Sequence, residues 1–257
     1  MIALLSAMRE EIHAVAQALT EVSVHERGGR HFHVGRFCGR EVVVVFSRYG
    51  KVAAASTVTQ LICAFPVSEV IFSGVAGGVQ HGLAIGDVVV ATALLQHDMD
   101  ASPLFARYEV PLSGKSRFAT DPALSMTLAA AAQDFLNQDL RSTVAAGERE
   151  FFSLTAPKVV RGLVASGDKF FASAADVADL RQRLPELVCV EMEGAAVAQV
   201  CDEYQVPYAI VRTISDSADE NSVHDFPRFA REIAGQYSLG VLTRFMQRLT
   251  ASPQARY

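Results

Sequence analysis

The chain has 257 residues, half of them apolar, and a net charge of −5 at neutral pH. Its charges are spread evenly with no Lys/Arg block, which argues against nucleic acid as a partner. No apolar run approaches the roughly 20 residues of a membrane span, and "MIALLSAMREE" carries neither a basic leader nor a small-residue cleavage site.

In chain order, "IALLSA" reads as a strand, and "REEIHAVAQAL" has helical spacing at Ile12, Val15, Ala16 and Leu19. "HFHVGRF" and "REVVVVFS" form a hairpin across Cys38 and Gly39. "KVAAASTVTQLICAF" is a helix ending before Pro66. "SEVIFSG" is a buried strand, "VAGG" a loop, and "GDVVVATALLQHD" another strand. "DPALSMTLAAAAQDFLNQ" is a helix, "VRGLVASGD" a strand and "AADVADLRQRL" a helix before Pro185. "LVCVEM" is a strand, "EGAAVAQVCDEY" a helix and "VPYAIVRTIS" a strand. A long helix, "FPRFAREIAGQYSLGVLTRFMQRL", closes the chain. Strands alternating with helices predict an α/β fold, a three-layer sandwich with a mixed, mostly central β-sheet flanked by helices. No linker or repeat divides it, so residues 1–257 are expected to form one domain. Residues 98–120 and 137–158 are the least regular and are functional loops or carry short elements.

The four cysteines, Cys38, Cys63, Cys189 and Cys201, show no CxxC and no metal spacing. Three lie in apolar surroundings, which suits buried thiols in a reducing compartment and predicts a cytoplasmic protein.

Ligands of such folds bind at the carboxyl ends of the strands. Three of these ends carry acids: Glu10 and Glu11 after the first strand, Glu191 and Glu193 in "CVEMEGAAVAQV", and Asp216 with Ser215 after "VPYAIVRTIS". Each has a plainer reading. Glu10 and Glu11 suit a helix N-terminus, Asp216 suits a turn, and Glu191 and Glu193 suit a solvated helix start. Three acids at three strand ends point instead to a common site. Arg212 lies within an apolar run, where a charge needs a carboxylate partner from a neighbouring strand end. "SGVAGGVQHGLAIGD" is not GxGxxG and runs into a strand, which removes the dinucleotide and phosphate-loop readings. "HDMD" offers one His and two Asp with no second cluster, too little for a metal site. No metal and no cofactor are expected.

"SAMREE", "GKVAAA", "GVAGG", "IGDVVVA", "HDMD", "SGDKF", "VEMEGAAVA" and "VRTISDSAD" follow in an order that resembles the purine nucleoside phosphorylase superfamily. More closely, the chain resembles the 5'-methylthioadenosine/S-adenosylhomocysteine nucleosidases, over nearly its whole length. The resemblance implies hydrolysis of 5'-thio-substituted adenine nucleosides with release of adenine. It also implies roles: Glu11 activates water, Asp216 protonates the leaving base, and Glu193 holds the ribose hydroxyls. Met192 packs on the sugar, and Glu191 is structural. Phe170 stacks on adenine, the Phe171 backbone bonds its edge, and Arg212 helps place the water and Glu11. Met8, Val75, Gly77 and Ser215 complete the substrate contacts. The apolar segment "DASPLFARYEVP" implies a homodimer, with Phe105 or Tyr108 closing the partner's pocket.

The chemistry supports the division of labour. Breaking a ribose–adenine bond leaves a cationic sugar and a poor anionic leaving group. One acid protonates the base, a second orients water and stabilises the cation, and a third holds the sugar. Three departures from the family pattern stand out. Val75 replaces an expected Ser or Thr, Arg48 replaces an expected Gly, and the segment around 134–159 is longer than the compact bacterial pattern. Arg48 keeps a phosphorolytic alternative open, and the 5' group leaves aminodeoxyfutalosine as an alternative substrate.

Overall fold

The structure is a computed structural model, and it describes residues 1–251. The one-domain expectation extends to Tyr257, and residues 252–257 lie outside the described residues.

The first strand, β1 (Ile2–Ser6), is buried at every position. Parallel neighbours flank it on both sides, β4 (Arg40–Phe46) and β5 (Glu69–Gly78). Strands covered on both faces need apolar residues throughout, which is why these runs do not alternate. The ten-stranded sheet runs β10 (Tyr208–Asp216), β6 (Val88–Gln96), β8 (Val159–Ser166), β9 (Leu187–Glu191), β5, β1, β4, β3 (Arg30–Phe37) and β2 (Thr20–Arg27). The two-residue β7 (Phe118–Ala119) adds to β6. β5 also pairs along β10, so β5, β10, β6, β8 and β9 close into a circuit. That closure brings the ends of β5, β9 and β10 together, and β1 ends beside β5.

Side chains alternate across β1 and fill two cores. Leu4 and its neighbours meet α1 (Arg9–Gln17), α3 (Pro122–Asp134) and α9 (Gly235–Ala251) through Ile12, Val15, Leu128 and Phe245. On the other face Ala3 and Leu5 share a core with Val58 and Leu61 of α2 (Lys51–Ala64) and Val197 of α7 (Gly194–Glu203). A third cluster packs Val177 and Leu180 of α6 (Ala174–Arg183) on Leu163 and Val190. Local chemistry starts these helices where the sequence predicts. Asp121 accepts from the Leu124 N–H at 2.8 Å with Pro122 at the first helical position.

Several elements differ from the sequence reading. "VAGG" is not a loop but the last turnless stretch of β5. β2 was not predicted: all eight residues are exposed, and it pairs at the sheet edge with β3 alone. With no face buried, nothing imposes an apolar pattern on it. Residues 137–158 carry the end of a π-helical turn (Phe135–Asp139), α4 (Leu140–Thr143) and α5 (Ala146–Phe151). The closing helix begins as α8 (Ser222–Phe229) and passes through a π-helical turn at Ala230–Ala234 into α9. Of the four free cysteines, Cys189 and Cys201 are buried and Cys38 and Cys63 exposed, so two thiols and not three are sheltered.

Candidate active site

Glu11 is the third residue of α1 and is 1% exposed. Its Oε2 accepts from the backbone N–H of Ala7 at 3.0 Å and of Met8 at 2.9 Å. Its Oε1 accepts from the Val75 N–H at 2.9 Å. Both readings of this acid therefore hold: it caps its helix, and it also faces a cavity. The backbone N–H at position 75 reaches Glu11 whatever its side chain, while Val75 offers the cavity no hydroxyl. Burial outweighs the donors and the Arg212 charge and pushes Glu11 up to about 7. Gly74 makes room for it, since a Cβ there would stand 2.9 Å from Glu11 Oε1. Glu10, its neighbour, is exposed and fits the plain helix-dipole role.

The two acids of "VEME" have opposite environments. Glu191 ends β9 and is saturated with donors. Arg212 Nη2 donates to it at 2.8 Å, Ser166 Oγ donates to it, and the N–H groups of Glu193 and Gly194 donate at 3.1 and 2.8 Å. Glu193 stands at the N-cap of α7, and its Oε1 accepts from the Gly50 N–H at 2.7 Å. Burial, reinforced by the Glu191 charge, lifts Glu193 well above the usual carboxylate range. Glu191 is thus the counter-ion of a buried arginine, and Glu193 is the acid left with capacity for a ligand.

Asp216 comes from the end of β10, where a bulge at Ser215 shifts the register so that Ile214 pairs Ala76 and Asp216 pairs Gly77. Bulges of this kind re-aim a side chain beside a site. Asp216 Oδ2 accepts from Ser215 Oγ at 2.7 Å and Oδ1 from the Ala218 N–H at 2.8 Å.

One cavity gathers most of the predicted site residues: Met8, Glu11, Val75, Gly77, Phe170, Phe171, Met192, Glu193, Ser215 and Asp216. Phe170 is 43% exposed and leans on Phe226 of α8 with ring centroids 5.5 Å apart. Phe171 is buried, with its ring edge-on to His97 at 5.2 Å. Tyr49, Lys169 and Phe226 also line the cavity, and sequence reasoning missed them. Tyr49 sits one residue before "GKVAAA", and Lys169 lies within "SGDKF". Phe226 had no such signal, because only the packing of α8 brings it in.

Three predicted site residues lie elsewhere. Arg212 is 1% exposed and does not line the cavity. Its guanidinium bonds Glu191, donates to the Phe72 and Val211 carbonyls at 3.4 and 3.2 Å, and stacks 4.1 Å from the Phe72 ring. It acts on Glu11 through charge and not through a bond, because its Nη2 is taken by Glu191 and its Nη1 by the two carbonyls. Phe105 and Tyr108 are half-buried and stay outside this chain's cavity. Tyr108 Oη accepts from Arg183 Nη1 at 3.0 Å, and the large apolar side chains exposed in that segment and next to it are Leu104 and Leu112. Arg48 is likewise outside, donating to the Gly29 carbonyl at 2.6 Å. Among the described residues no cluster of three or more His, Cys, Asp and Glu is placed to hold a metal.

Three acids around a pocket with an aromatic wall, on a closed circuit of a mixed sheet, define a class: the chain belongs to the phosphorylase superfamily, whose family model matches residues 1–247. Within that class its likeness is to nucleosidases. A 5'-methylthioadenosine/S-adenosylhomocysteine nucleosidase of Bacillus thuringiensis (strain Al Hakam) is 33% identical over 248 residues, 96% of this chain and 99% of the relative. The crystal structure of the corresponding Neisseria meningitidis nucleosidase, in complex with methylthio-immucillin-A, matches with a TM-score of 0.84. It is 32% identical, over 96% of this chain and 98% of that one. A futalosine hydrolase of Helicobacter pylori matches with a TM-score of 0.81 and 32% identity, over 96% and 97% of the two chains.

Proposed function

We propose that this protein hydrolyses the N-glycosidic bond of adenine nucleosides with a 5'-thio substituent, methylthioadenosine and S-adenosylhomocysteine, and releases adenine. The observation that carries this reading is the convergence of Glu11, Glu193 and Asp216 on one cavity with Phe170 and Phe171 in its wall. The base would lie against Phe170, with its five-membered ring toward Asp216. Glu193 would accept from the ribose hydroxyls, a contact that strengthens as the sugar becomes cationic. Glu11, held by three N–H groups and poised near neutrality, would take a proton from water on the sugar's far face. Asp216, fixed by Ser215 and the Ala218 N–H, would deliver the proton to the departing purine.

Arg48, the basic group that favoured phosphate, is committed to Gly29 outside the cavity, which supports water as the nucleophile. The likeness to the futalosine hydrolase favours one second reading, in which the same machinery accepts the aminodeoxyfutalosine side chain at the 5' position. Adenine release from a panel of the three nucleosides, in phosphate-free buffer and with added phosphate, tests all of this. Release without phosphate is expected. Strict phosphate dependence with formation of the 5-substituted ribose 1-phosphate would refute hydrolysis, and the preferred nucleoside decides the 5' group.

We place the protein in the cytoplasm on the strength of its four free thiols. We read it as a homodimer because Leu104 and Leu112 expose apolar side chains, 85% and 92% accessible, in the "DASPLFARYEVP" segment and next to it. Leu112→Asp is expected to shift sedimentation at micromolar concentration from dimer to monomer. A parent that is monomeric and fully active would remove the reading.

A further inference from the structure

Three residues of the recognised motifs have no part in the chemistry above: Lys51 of "GKVAAA", Asp98 of "HDMD" and Asp168 of "SGDKF". They come from separate elements, and the fold joins them. Lys51 Nζ donates to Asp98 Oδ1 at 2.5 Å and to Gln96 Oε1 at 3.1 Å. Asp98 Oδ2 accepts from the backbone N–H of Asp168 at 3.0 Å. Asp168 Oδ1 in turn accepts from the backbone N–H of Lys51 at 2.9 Å. The three residues therefore form a closed ring of hydrogen bonds between the start of α2, the end of β6 and the loop after β8. The Lys51 and Asp98 side chains are 16% and 33% exposed, so the ring is partly sheltered from water and stronger than a surface pair.

What lies on either side of the ring gives it a purpose. Gly50 immediately precedes Lys51, and its N–H is the one protein donor to the Glu193 carboxylate among the described residues. Asp168 stands two residues before Phe170 and three before Phe171, which form the aromatic wall. Gly50 has φ of 89°, and a Cβ there would sit 3.1 Å from Asp168 Oδ1. This conformation aims its N–H at Glu193 while the next N–H goes to Asp168.

We propose that the Lys51–Asp98–Asp168 ring is a positioning device that ties the sugar-holding Glu193 to the adenine wall, so that sugar and base are gripped as one unit. The inference rests on the adenine-nucleoside reading of the site. It assigns Lys51 and Asp98 no contact with substrate. With the Lys51–Asp98 pair gone, only the Lys51 N–H bond to Asp168 still joins α2 to the Phe170 loop, and the Gly50 N–H drifts out of register with Glu193. A misdirected hydrogen bond to a charged group weakens binding about tenfold. That loss falls on ligands that span both ends and spares those that fill one.

The test compares two ligands by calorimetric titration: free adenine, and a C-nucleoside analogue of adenosine whose base cannot be hydrolysed. Lys51→Met is expected to weaken the C-nucleoside about tenfold and adenine less than about threefold. Lys51→Arg, which keeps a donor for Asp98, is expected to bind both like the parent. Asp98→Asn removes the charge from the other side of the ring and should repeat the Lys51→Met pattern. Melting temperatures should stay within about 2 °C of the parent, as for a partly exposed pair. Equal weakening of both ligands, no weakening of either, or a parallel fall in melting temperature that Arg does not rescue would overturn the proposal. A parent that binds neither ligand would instead overturn the functional reading on which it rests.

Discussion

Glu11→Gln separates the cost of a buried carboxylate from its use. The folded protein holds Glu11 at about 7 against an ordinary value of 4.5, because burial outweighs Arg212 and three backbone donors. The folded state then binds more protons than the unfolded chain between these two values, so this group's contribution to stability falls as pH rises through that window and levels off above pH 7. The cost to the folded state grows from about 1 kcal/mol at pH 5 to about 3 kcal/mol at pH 8. Glutamine resembles protonated glutamic acid in size and in its balance of donor and acceptor, and it does not titrate. The melting temperature of Glu11→Gln relative to the parent should therefore be about 5–10 °C more favourable at pH 8 than at pH 5, at roughly 2–4 °C per kcal/mol for a chain of this size. Adenine release should fall by about 10²–10⁴-fold, because the base is gone. The parent's kcat/KM should rise with pH and level off near 7, the range in which Glu11 becomes ionised. Scanning calorimetry of both proteins at the two pH values checks the stability argument. An offset in melting temperature that is the same at pH 5 and pH 8 would refute the claim that burial raises this acid.

The two acids of "VEME" should fail in different ways. Glu193→Gln is expected to keep its fold and lose most turnover, whereas Glu191→Gln strands the buried Arg212 and should lose about 3–5 kcal/mol of stability in urea unfolding. Asp216→Asn keeps its shape and should bind an adenine nucleoside analogue like the parent while adenine release drops about 10²–10⁴-fold; near-parent turnover would make Asp216 a turn residue only. Arg228 of α8 holds Glu148 of α5 in a fork at 3.0 and 2.8 Å and lies 3.5 Å from the Phe151 ring, which ties the long 134–159 segment to the helix that carries Phe226. Arg228→Met should accordingly raise KM severalfold with a smaller change in kcat, and an unchanged KM in steady-state assays would show that α8 needs no such tether.

The order of the buried strands and the long helices was legible in the chain alone, because strands buried on both faces must be apolar throughout and helices must carry one apolar stripe. The sequence also located Glu11, Glu193 and Asp216 at strand ends, where polar residues interrupt apolar runs. It could not separate Glu191 from Glu193, which have the same side chain two positions apart. Only the tertiary structure did so, by placing Arg212 and Ser166 against one and Gly50 against the other. "VAGG" looked like a loop because glycine is rare in strands. It is strand because β10 and β9 pair with it, and Gly77 is needed because a Cβ there would crowd Ala218 and Asp216, demands that come from other parts of the chain. β2 was invisible because an edge strand exposed on both faces leaves no apolar period. Phe226 and the Lys51–Asp98–Asp168 ring were illegible for a common reason: their partners are set by how α8, α2 and two loops pack, and residues far apart in sequence leave no local pattern of their meeting.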